Sequence, residues 1–177
     1  MSAIKGYVIK NDIRLFLLFN KDIQNKVLDR FMLILTRLFD TPVVFIFALG
    51  AYLLSTYTGH TFGFKLALLL CVSEGITHLI KVIVSRSRPF VSLSEALFEF
   101  VPPKDMYSFP SGHTCAAFTY ALVFSMFLPT FKILWLSIAA LVGVSRVYLG
   151  YHYPTDVIIG ACIPILMKSI LMMNGWL

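Results

Sequence analysis

Five stretches of the chain, 41–57, 65–84, 113–128, 132–149 and 154–173, run for sixteen to twenty residues with few charges. Each is too long and too continuous for a barrel strand of about 9–11 alternating residues. Backbone groups in hydrocarbon must be paired internally, so such runs become helices. Composition agrees: 58% of the 177 residues are hydrophobic and only 14% charged, with a mean hydropathy of +0.82. A water-exposed globule of this size lacks the polar surface to cover itself. The expected fold class is therefore all-α, a polytopic transmembrane helical bundle of about five to six spans. It reads as a single unit over residues 1–177, with an interfacial segment at 1–40 and a transmembrane core at 41–177.

Residues 1–40 differ in kind. Lys26, Asp29, Arg30, Arg37 and Asp40 interrupt an apolar face of Leu28, Phe31, Met32, Leu35 and Leu38. That pattern suits helices lying in the membrane interface. The net charge of +6 is read as attraction to anionic headgroups rather than to nucleic acid. Cys71, Cys115 and Cys162 lie inside apolar runs without C-x-x-C pairing, and are expected as small core residues, neither disulfides nor metal ligands. No signal peptide pattern is evident at the N-terminus.

Polar residues gather in three places. Lys81 and Arg88 are seven apart, on one helical face two turns apart, with Pro89 ending the helix. They can converge on one anion, or simply snorkel at a membrane end. Pro110-Ser111-Gly112-His113-Thr114 opens the third span, where unpaired helix N–H groups, a hydroxyl and an imidazole meet. An ordinary capped turn remains the alternative. Ser145-Arg146 and His152 precede Asp156 in the first turn of the last span, close enough for a carboxylate to orient an imidazole. The second span ends at the first group, the third begins at the second, and the fourth ends and the fifth begins at the third. Alternating helix direction puts all three at one membrane face. Ionisable residues in spans are functional by default, and three cations, two histidines and a helix N-terminus around one cavity suit phosphoryl chemistry.

These motifs resemble the three signature motifs of the phosphatidic acid phosphatase type 2 superfamily, which also includes soluble vanadium haloperoxidases. Eleven positions match, from Lys81, Arg88 and Pro89 through Pro110, Ser111, Gly112 and His113 to Ser145, Arg146, His152 and Asp156. The apolar composition is similar to the membrane phosphatase branch. The resemblance implies His152 as nucleophile forming a phosphohistidine, Asp156 as its orienting partner, and His113 as acid for the leaving group and then base for water. Lys81, Arg88, Arg146, Ser111 and Gly112 would hold the phosphoryl oxygens, with no metal and no cofactor. The implied partner is a lipid phosphate in the bilayer. Undecaprenyl diphosphate is the favoured substrate, with phosphatidylglycerophosphate, phosphatidic acid and lipid A 1-phosphate as rivals. A lipid-phosphate binding or transport protein without catalysis is the competing class.

Some residues stay open at this level. Glu74, His78 and Lys81 make a polar stripe, read as internal pairing or as support for Lys81. Segment 90–109 reads as a lid over the headgroup or as a solvated connector. Arg86, one residue out of register with Lys81 and Arg88, is expected as a surface contact. The resemblance implies a bacterial inner or plasma membrane with the site facing outward. Seven Lys or Arg in residues 1–40 point the other way by the positive-inside rule.

Overall fold

The computed structural model describes residues 3–98, 103 and 105–177. Eight α-helices are present among them: α1 (Ala3–Leu17), α2 (Lys26–Arg37), α3 (Thr41–Thr58), α4 (Phe62–Val84), the single turn α5 (Pro89–Ser92), α6 (Gly112–Phe127), α7 (Lys132–Tyr148) and α8 (Pro154–Met173). The five expected spans correspond to α3, α4, α6, α7 and α8. Four segments are long and apolar enough to cross a membrane: Thr41–Thr58, Phe62–Val84, Pro129–Tyr148 and Pro154–Met173. The 16-residue α6 reaches only about 24 Å against a hydrocarbon thickness of about 30 Å.

Helix α6 needs no lipid-facing length of its own, because it is the central helix, packed against α4, α7 and α8. Small residues make that position possible. Ala116, Ala117 and Ala121 are nearly solvent-free and let neighbours approach. On one side α6 joins Val44 and Ala48 of α3 and Leu66, Leu69 and Leu70 of α4 through Ala116, Tyr120 and Val123. On the other it meets Ala139 and Val142 of α7 through Ala117 and Ala121. Gly160 permits the α8 contact, since a Cβ there would stand 2.6 Å from the Ser111 carbonyl oxygen. The outer faces carry large apolar side chains such as Ile46, Ile83 and Ile133, as lipid contact requires. Cys71 belongs to that outer surface rather than to the core, whereas Cys115 is buried; all three cysteines are free thiols.

The N-terminal helices cover the bundle end where α4 finishes and α6 and α8 begin. Asn25 caps α2 by accepting from the Leu28 N–H at 3.0 Å, a contribution of about 1 kcal/mol. The fully buried Asn20 donates to the carbonyls of Leu97 and Tyr148, both at 2.9 Å, and accepts from the Leu97 N–H at 2.8 Å. One amide thus ties the N-terminal segment, the 90s loop and the end of α7 together. Val27 and Tyr7 face outward on these helices, exposed by 81% and 71%, as an interfacial location demands.

Candidate active site

The end of α4 departs from the helical reading. The helix stops at Val84, and Ser85 adopts a left-handed conformation with φ 48°. Arg86, Ser87 and Arg88 therefore follow an extended path, bridged to the returning segment through Ser87 and Tyr107. Lys81 and Arg88 do converge, but by chain reversal rather than along one helical face. Pro89 opens α5 instead of ending α4. Helical register does not extend past Ser85, and this corrects the reading of Arg86 as a surface contact. Its guanidinium donates to Asp156 Oδ1 and to Asp12 Oδ2, each at 2.7 Å, and to Thr155 Oγ1 at 2.8 Å. It also lies 3.9 Å over the Tyr153 ring.

His152 sits in the turn between α7 and α8. Gly150, at φ 84°, takes a conformation unfavourable to other residues, and the turn it makes sends both the Tyr151 and His152 N–H groups back to the Arg146 carbonyl at 3.0 and 3.2 Å. The buried imidazole places Nδ1 2.6 Å from the Ser108 carbonyl. A carbonyl only accepts, so Nδ1 carries the proton and Nε2 keeps its lone pair. Asp156 Oδ2 lies further off, 3.7 Å from Nδ1, and accepts from the Tyr153 N–H at 2.8 Å. The orienting contact on His152 is thus first a backbone carbonyl, with the carboxylate behind it.

Nε2 faces Arg88, whose Nη1 donates to it across 3.3 Å. Arg88 is held by the carbonyls of Asp105 and Tyr151 at 2.8 and 3.1 Å. Arg146 lies 4.0 Å over the Tyr151 ring and donates from Nη1 to Thr36 Oγ1 at 2.8 Å. Its buried Nε has no partner among the described residues. Burial first, then the positive field of Arg88 and Arg146, drives the His152 pKa well below the ordinary imidazole value. The ring is neutral at physiological pH.

A cavity of about 380 Å³ collects these groups, with Lys81, Arg88, Gly112, His113, Arg146 and His152 on its wall. Seven of the eight site residues expected from sequence, all but Ser111, thus lie in the cavity wall or behind its nucleophile candidate. Ser111 is fully buried and caps α6, accepting from the Thr114 hydroxyl at 2.9 Å. Its hydroxyl is not part of the cavity wall.

Several participants were invisible in the sequence. Asp40 stands before α3 without capping it, and its carboxylate meets His113 Nε2 at 3.0 Å. That bond, opposed by partial burial and helped by the field of His113, Arg146 and Arg37, lowers the Asp40 pKa. Asp105 reaches in from the segment after α5 and accepts from Lys81 Nζ at 2.7 Å, with Arg88 Nη2 at 3.8 Å. The segment is therefore anchored over the site at Asp105; Glu99, Phe100 and Lys104 lie outside the described residues. Asp12, 3% exposed, and Thr36 join from α1 and α2. Their partners Arg86, His113, Lys81 and Arg146 lie on other segments, 24 to 110 positions away, so no local pattern marked them.

Comparison with known proteins agrees with this arrangement. Residues 62–175 match the PAP2 superfamily model. The chain is 30% identical over 115 residues to a lipid A 1-phosphatase of Rhizobium etli, covering 63% of this chain and 44% of that protein. It is 33% identical over 99 residues to an undecaprenyl-diphosphatase of Sulfolobus acidocaldarius, covering 55% and 48%. The chain thus spans less than half the length of these relatives. The crystal structure of Aquifex aeolicus LpxE superposes with a TM-score of 0.77 at 27% identity, covering 91% of this chain and 94% of that one. With six of the signature residues on one cavity wall and the family match spanning α4 to α8, the chain belongs to the PAP2 superfamily.

Proposed function

We propose that this protein hydrolyses the phosphate or diphosphate ester of a membrane lipid through a phosphohistidine on His152, without a metal ion. The observation that carries the reading is the His152 imidazole itself. Its Nδ1 proton is committed to Ser108, and its Nε2 lone pair points to Arg88 in a cavity that also holds Arg146, whose Nε–H has no partner among the described residues. An incoming phosphoryl group takes the N–H bonds of both guanidiniums, which frees Nε2 from Arg88. Nε2 then attacks phosphorus while the P–O bond to the leaving group breaks, a lipid alcohol from a monophosphate or a lipid monophosphate from a diphosphate. His113 hands its proton to the departing oxygen. In the second step His113 removes a proton from water, whose oxygen attacks phosphorus as the P–N bond breaks, returning free His152 and inorganic phosphate. The cations and the α6 N-terminus stabilise charge on the equatorial oxygens.

The recessed, apolar surroundings suit a lipid better than a soluble phosphate. The relatives divide between lipid A and undecaprenyl substrates. Undecaprenyl diphosphate, the substrate favoured by family resemblance, and lipid A 1-phosphate, that of the Rhizobium relative, are both candidates. The same resemblance supports a site on the outer face of a plasma membrane. The test is phosphate release by the purified protein in chelator, with a labelled substrate. His152→Ala is expected to abolish release and labelling of the protein. Undiminished turnover removes His152 from the nucleophile role, and binding without turnover by the wild type favours the transport class.

A further inference from the structure

The cavity extends beyond the cations. Along α4, Thr77 and Glu74 lie four and seven residues before Lys81, about 6 and 10 Å further into the bilayer. Both belong to the cavity wall. Thr77 is only 2% exposed, and among the described residues neither its hydroxyl nor Glu74 Oε1 has a nitrogen or oxygen partner. The thiol of Cys115 on α6 lies beside both, and a thiol is a weak partner. Glu74 Oε2 comes within 3.5 Å of where a Gly112 side chain would begin, so the carboxyl borders the N-terminus of α6, where the phosphate is expected. Phe39, Val44 and Phe45 form an apolar wall of the same cavity.

Buried polar atoms are nearly always satisfied, and an unsatisfied pair in a cavity wall calls for a group that arrives with the ligand. With phosphate at Lys81, Arg88 and Arg146, the part of the substrate next to the scissile bond lies against Glu74 and Thr77. In a polyprenyl monophosphate that part is hydrocarbon, which leaves both groups stranded; in a diphosphate it is the inner phosphate. An alcohol that carries a hydroxyl beside its phosphate ester can donate to Glu74 and exchange a hydrogen bond with Thr77.

We propose that Glu74 and Thr77 form a headgroup subsite for a hydroxyl on the alcohol portion of the lipid phosphate, selecting monoesters of hydroxyl-bearing alcohols such as glycerol over polyprenyl monophosphates. The inference rests on the phosphatase reading above and separates monophosphate substrates by the alcohol they carry. Sites built to bond a hydroxyl discriminate strongly against analogues that lack it. The alternative role for the pair is glue between α4 and α6, which makes no distinction among substrates.

The test uses the full-length protein in detergent micelles with three lipids: 1-oleoylglycerol 3-phosphate, its 2-deoxy analogue and farnesyl phosphate. The wild type is expected to show kcat/KM about tenfold or more higher for the hydroxylated lipid. Glu74→Leu and Thr77→Val should each lower kcat/KM most for the hydroxylated lipid and so remove most of that preference. Equal wild-type rates on the matched pair, or equal loss on all three lipids, overturns the subsite. The wild-type ratio stands as a test even where a variant does not fold. Equilibrium binding of the same lipids to His152→Ala gives a readout independent of turnover, and absence of preference there also overturns it. Absence of turnover on every lipid, with the binding preference intact, removes the phosphatase reading and leaves the subsite standing.

Discussion

Arg86 donates to Asp156 at 2.7 Å, and the same guanidinium grips Asp12 at 2.7 Å, so the carboxylate behind the nucleophile candidate is joined to the first helix of the chain. The Asp156 side chain is fully buried and that of Arg86 is 25% exposed. Removing the cation strands two buried carboxylates. Arg86→Ala should therefore cost about 2–3 kcal/mol of stability, seen as a lowered unfolding temperature in micelles. Turnover should fall as well, with Arg86→Lys intermediate because an ammonium cannot span three acceptors in one plane. An Arg86→Ala protein with unchanged stability and rate would show the bridge to be incidental.

His152 is buried among cations, so its proton is lost more readily than from a free imidazole at about pH 6.5. The folded-state pKa is depressed, and the unfolded chain binds the extra proton first. The contribution of this residue to stability is then fully present above about pH 6.5 and is lost as pH falls toward the folded value. Nitrogen-15 NMR of labelled histidine should show a neutral His152 ring, Nδ1 protonated, at pH 6. A midpoint at or above 6.5 contradicts the electrostatic account.

Asp40 holds His113 at 3.0 Å from outside the family match, which begins at residue 62. Asp40→Asn keeps the shape and removes the charge that steadies the imidazolium. General acid–base groups contribute about 10²–10⁴-fold, and loss of the partner should lower kcat by about tenfold or more with little change in KM. The pH–kcat profile should shift as well. A change confined to KM would place Asp40 in substrate binding instead.

Asp105 occupies the Lys81 ammonium at 2.7 Å, where a phosphoryl oxygen is expected. The carboxylate competes with the substrate, so Asp105→Asn should tighten inhibition by inorganic phosphate, by roughly three- to tenfold for a half-exposed pair. Weaker phosphate inhibition would show that Asp105 instead holds Lys81 in position for the ligand.

The hydropathy of the chain already determined a helical membrane protein, and the spans agree with the helices to within a few residues at most ends. Alternation of direction was also enough to bring Lys81, His113, Arg146 and His152 to one end of the bundle. These properties are legible because apolar run length and helical period are local, and lipid leaves the backbone few alternatives. The partners of those residues were decided only by tertiary structure. The left-handed Ser85 breaks the register that misplaced Arg86, and the Ser108 carbonyl holds His152 across 44 positions of sequence. Asp40 and His113 meet across 73 positions, and Asp12 and Thr155 across 143. Which buried carboxylate meets which cation depends on how separate helices pack and how loops reverse, and no periodicity within a single segment encodes that geometry.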